Sequence, residues 1–112
     1  MTSQYKSTFG EYVRQLRTDK GLTLTKLAAH LNMDSANLSK VENGKREFDI
    51  KRLDKLADVF DVDINILKDE LLSDQFARTI YETNSSTSVL RLAEEKVRYR
   101  KQICTEQTKF KF

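Results

Sequence analysis

No proline interrupts the 112-residue chain, and its three glycines, Gly10, Gly21 and Gly44, lie far apart. With so few breakers the predicted fold is built from helices. Apolar spacing agrees. Phe9, Val13, Leu16 and Arg17 recur at helical intervals, and Gly21 follows where a left-handed residue would end the helix. Thr23 is a good N-cap for a helix over 24–31, whose Leu27, Ala28 and Leu31 share one face. Asp34 can cap a third over 35–43, with Leu38 and Val41 inward and Gly44 closing it. Asp49 starts a fourth, with Ile50, Leu53, Leu56, Ala57 and Phe60 as its stripe. Asp63 caps a fifth that carries Ile64, Leu67 and Leu71. Five short capped helices predict a compact all-α unit over 1–70.

Beyond Leu71 the stripe continues through Leu72, Phe76 and Ile80 until a polar loop interrupts it at 83–88. A last helix is predicted from about Ser88 to Cys104, so 71–104 forms a helical extension and 105–112 a frayed tail. Lys and Arg number 20 against 17 Asp and Glu, a net charge of +3. Residues 1–70 hold 12 basic and 12 acidic groups, and residues 71–112 hold 8 against 5. The basic excess therefore belongs to the extension.

Several function classes drop out. Apolar runs are too short to span a membrane, and residues 1–6 have no apolar core of a secretory leader. Cys104 and His30 are the single residues of their types, which leaves no disulfide framework and no zinc or HExxH site. His30 reads as a surface residue. Cys104 reads as an inert thiol, with an inter-subunit disulfide as the lesser alternative. The scattered glycines write neither a P-loop nor a dinucleotide-binding fingerprint. Acidic residues mostly occupy caps or solvated faces, and no isolated pair suggests general acid–base work. A cytoplasmic protein that is not an enzyme, with no cofactor and no metal, is expected.

The second and third helices carry the functional signal. Two short helices that cross steeply need a small residue at the contact, which Ala28 supplies. Their turn needs a residue that accepts positive φ, and Asn32 is suited to it. The third helix then offers a small polar outer face of Ser35, Ala36, Asn37, Ser39 and Lys40. Such a face fits a DNA major groove, where Lys40 can reach guanine O6 and N7. Asn43, Lys45 and Arg46 follow as donors at phosphate height, and Thr23 and Lys26 can support a phosphate at the second helix's N-terminus.

The stretch over about 7–70 resembles the XRE family of bacterial and phage regulators, of the lambdoid repressor and Cro type. The residues that carry the resemblance are Phe9-Gly10, Val13-Arg14, Leu16-Arg17, Gly21-Leu22-Thr23, Lys26-Leu27-Ala28, and the run from Leu38 to Lys45. The resemblance implies a five-helix lambda-repressor-like helix-turn-helix domain followed by the helical extension. It implies that Ser35, Ala36 and Lys40 face base edges, with Ser39 beside them. It further implies that Asn43 holds a phosphate, with Asn37 in the same set, and that Glu42 pairs with Arg17. The partner would be double-stranded DNA, bound by a homodimer on a pseudo-palindrome. The compact form resembles restriction–modification controllers and phage switches, which often act on their own promoter. Leu24 stands where the family usually has Gln, so a polar contact common there is missing.

The extension's apolar residues, Phe76, Ile80, Val89, Leu90, Ala93 and Val97, are more than a solvated helix needs. They could pack on their own domain, on a second subunit, or on another protein. Dimerisation is the preferred expectation. The rival is an antitoxin or interaction module whose C-terminal helices bind a partner protein.

Overall fold

The computed structural model describes residues 7–110, with side chains through residue 104. All regular structure among them is helical: α1 (Phe9–Asp19), α2 (Leu24–His30), α3 (Ser35–Glu42), α4 (Leu53–Phe60), α5 (Ile64–Glu82) and α6 (Ser88–Phe110). Four of the starts have a side-chain cap. Thr8 and Glu11 form a reciprocal capping box at α1, with bonds of 3.0 and 3.1 Å. Thr23 and Asp34 accept from the backbone N–H groups of Lys26 and Ala36, and Asp63 accepts from that of Asn65.

The ends of the first five helices share one device. Gly21, Asn32, Gly44, Asp61 and Asn84 each adopt positive φ. At each, the next residue's N–H reaches back to the last turn, as Leu22 does to Arg17, Met33 to Ala28 and Lys45 to Lys40. This closes the exposed carbonyls and reverses the chain in a few residues. Asn32 takes the φ its place in the turn demands, 57°.

The chain divides into two compact units, the first ending at Gln75 and the second beginning at Phe76. In the first, α1 and α2 pack on α3, and α2 also packs on α4. Val13, Leu27, Leu31, Leu38, Leu56 and Leu67 have no exposed surface. Two expected core positions are corrected. Asp49 caps a single turn of 3-10 helix (Ile50–Arg52) before α4 begins. That tighter winding rotates Ile50 off the inward stripe, and it is 47% exposed. Ile64, the first residue of α5, lies ahead of the turn that meets the core and is also exposed. Phe48, which no periodicity marks, is buried instead, its ring 5.6 Å from that of Phe9.

α5 runs unbroken past the boundary expected at residue 70, and α6 extends beyond Cys104 to Phe110. Residues 111 and 112 of the expected tail lie outside the described residues. No helix among the described residues is long and apolar enough to cross a membrane.

Burial, with Asp74 and then Asp69 nearby, holds the Glu70 carboxyl above its usual range. The folded chain keeps that proton more tightly than the unfolded chain does, so stability is lost as pH rises through the window. Glu70→Gln is expected to raise the melting temperature slightly near pH 7. The gain should vanish below about pH 4, where both states are protonated. An equal gain at both pH values would assign the effect to packing.

Candidate nucleic-acid interface

The α2–turn–α3 motif is built on Ala28, which is buried where the two helices meet. Leu27, Leu31, Leu38 and Val41 turn inward with it. What remains outward on α3 is small or long and polar. Ala36 and Lys40 are exposed, while Ser35, Asn37 and Ser39 are half-buried. Thr23 and Lys26 are exposed at the start of α2, and Leu24 leans on the core. The turn is clamped from outside the motif. Arg52 Nη1 donates to the carbonyls of Leu31 at 2.7 Å and Asn32 at 2.9 Å. Those are among the carbonyls a helix end leaves unpaired.

A charged cluster anchors the other end of α3. The Glu42 carboxylate is 1% exposed, and both of its oxygens accept hydrogen bonds. Arg17 donates to it twice, Nε to Oε2 at 2.7 Å and Nη2 to Oε1 at 3.0 Å. Arg14, one turn earlier on α1, adds a third bond from Nε to Oε1 at 3.3 Å. Hydrogen bonds to Glu42 hold the Arg17 guanidinium's proton still more tightly than usual. Arg17 also donates to the Leu22 carbonyl at 3.0 Å, which ties α1, the α1–α2 joint and α3 together. Two cations on one carboxylate leave a net positive charge beside the C-terminal end of α3, where the helix dipole favours it.

Three of the residues expected to meet phosphate, Asn37, Asn43 and Arg46, are drawn into side-chain pairs. Asn43 Oδ1 accepts from Arg14 Nη2 at 2.7 Å, and Asn37 Oδ1 from Arg46 Nη1 at 3.2 Å. Lys45 and Arg46 are exposed just past the end of α3. The sequence reading gave no role to Arg14 or Arg52. Their partners stand twenty or more positions away, beyond the reach of any local pattern.

In the second unit Phe76, Val89, Leu90 and Val97 are exposed, while Ile80 and Ala93 are half-buried. Leu92 and Tyr99, absent from the expected set, are exposed as well, at 55% and 62%. At 100° per residue they widen the α6 stripe into an arc of roughly half the helix, broader than a two-stranded coiled-coil seam. Cys104 and His30 are both exposed.

A family model described as helix-turn-helix matches residues 13–67. The transcriptional activator BcrR of Enterococcus faecalis is 34% identical over 84 residues, 75% of this chain and 39% of that protein. The restriction–modification controller C.AhdI of Aeromonas hydrophila is 36% identical over 53% of this chain and 89% of its own, with a TM-score of 0.49. A chain of the SinR–SinI complex shares the fold, with a TM-score of 0.51 and 24% identity over 85% of this chain and 99% of that one. The aligned regions span between 28% and 39% of the curated relatives' lengths.

Proposed function

The chain belongs to the XRE-type helix-turn-helix family of DNA-binding transcriptional regulators, and on that premise we propose that it reads a specific operator with α3. One observation carries this reading. The outward face of α3 is small and polar, Lys45 and Arg46 follow it, and Glu42 and Arg52 fix the helix from both ends. Ser35, Ala36, Ser39 and Lys40 face base edges. Thr23, Lys26, Asn37, Asn43, Lys45 and Arg46 set the register on phosphates. The chain acts in the cytoplasm by occupancy rather than by catalysis, on its own promoter or on a restriction–modification or phage-type gene.

The test is fluorescence anisotropy on DNA from upstream of its own gene, with scrambled competitor and a salt series. Competitor-resistant binding supports the reading, and binding that competitor abolishes counts against it. Lys40→Ala should lose about 1–3 kcal/mol of specific binding while non-specific binding is nearly kept. Equal loss on every sequence would place Lys40 on a phosphate.

The active form in this reading is a homodimer joined through the second unit, whose apolar arc needs a cover. Its recognition helices would meet half-sites about 34–36 Å apart. Val97→Asp should shift the dimer towards monomer in sedimentation, because a carboxylate placed in an apolar interface loses its water. An unaltered dimer would move the interface elsewhere. A second reading has the same arc bind a different protein, and the SinR–SinI pair is a complex of two proteins. A tail that protease cuts in the pure protein but spares in a co-purified complex would favour it.

A further inference from the structure

We propose that Arg14 is a positioning residue for DNA binding, which aims the Asn43 side-chain amide at a phosphate. The inference rests on the DNA-binding reading above and assigns a role to a residue outside the recognition motif.

Arg14 is not needed to satisfy Glu42, which already receives two bonds from Arg17. Its bond to Glu42 is its longer one, 3.3 Å, and its shorter one, 2.7 Å, goes to Asn43 Oδ1. A guanidinium has five donors and no acceptor, so only the amide oxygen can face it. That contact fixes which way the amide is turned. Asn43 Nδ2 then points away from Arg14, and its one recorded neighbour is Ser39 Oγ at 3.5 Å, the outer limit of a hydrogen bond. Asn43 is exposed at the end of α3, next to Gly44 and the cations Lys45 and Arg46. One of its N–H groups leans only weakly on Ser39, and the other is left for an outside acceptor.

Without Arg14 the terminal Asn torsion is broad and two-fold, and half of its range turns the oxygen outward. An outward oxygen repels a phosphate. Arg14 removes that wrong half before DNA arrives, so the cost of ordering the amide falls on folding and not on binding. Lysine cannot replace it. A single ammonium lacks the planar fork that spans the carboxylate and the amide together.

The experiment uses the full chain and a duplex enriched from a random-sequence pool by the wild-type protein. Arg14→Met and Asn43→Ala should each weaken binding about five- to tenfold, and the double variant should be no weaker than Asn43→Ala alone. Arg14→Lys, which keeps the charge, should lose nearly as much as Arg14→Met. Melting temperatures should stay close to wild type, because Glu42 keeps Arg17. The Asn43 side-chain amide resonances should shift in Arg14→Met even without DNA. Wild-type affinity in Arg14→Lys would reduce Arg14 to a charge and overturn the proposal. So would losses that multiply in the double variant. A wild-type chain that enriches no duplex would overturn the DNA-binding reading itself, and the positioning role with it.

Discussion

Replacing Glu42 with alanine is expected to cost the folded chain about 3 kcal/mol, measured by urea denaturation. The carboxylate is buried at the end of α3 and accepts three N–H bonds from two arginines on α1. Its removal leaves the Arg17 side chain, itself only 14% exposed, without a counter-charge in a partly dry site. Exposed ion pairs contribute no more than about 1 kcal/mol, so the size of the loss separates the two cases. Arg17 keeps its bond to the Leu22 carbonyl and part of its hydration, which places the estimate at the lower end of the buried range. A loss of that size should lower the melting temperature by more than about 10 °C. Combining Arg17→Met with Glu42→Leu should recover much of it, because the desolvation cost of both charges disappears. A Glu42→Ala chain within about 1 kcal/mol of wild type would show that the cluster behaves as a solvated pair.

Gly10→Val should destabilise by a similar amount for an unrelated reason. Gly10 lies in the first turn of α1 against the end of α3. A Cβ there would run into the carbonyl oxygen of Val41 and stand 2.7 Å from that of Glu42. Both obstacles are backbone and cannot swing aside, so α1 must lift from α3. Helix propensity argues the other way, since replacing a helical glycine gains at most about 1 kcal/mol. Overpacking against main chain costs about 3 kcal/mol, the upper end of its usual range, and decides the sign. Gly10→Ala removes the extra bulk of valine and keeps the clash, so it should fall between the two. Stabilisation by either substitution in urea titrations would show that the α1–α3 contact yields.

These two sites mark where the sequence was legible and where it was not. Local devices could be read directly. The caps Thr23, Asp34, Asp49 and Asp63 sit within three residues of the groups they satisfy. The left-handed Gly21, Asn32 and Gly44 follow apolar stripes that end on cue. Long-range devices could not. Gly10 resembles any helix glycine until α3 lies across it, and Arg52 is one more surface cation until the carbonyls of Leu31 and Asn32 meet it. Ile50 misled because a helical period was extended through a turn that winds more tightly. For the candidate site, type and spacing picked out the α3 face. The pairing of Asn43 with Arg14 and of Asn37 with Arg46 is a property of the folded surface.

The single left-handed residue that closes each joint of the first unit also sets how quickly the unit can form. Each reversal spans only a few residues, so loop closure costs little entropy and successive helices meet early. Helical domains with such local contacts fold in roughly microseconds to milliseconds. With no proline in the chain, no peptide-bond isomerisation adds a slower step. The amount of folded binding unit therefore follows the amount of chain synthesised almost without delay, and any lag in a circuit built on it must come from assembly or turnover.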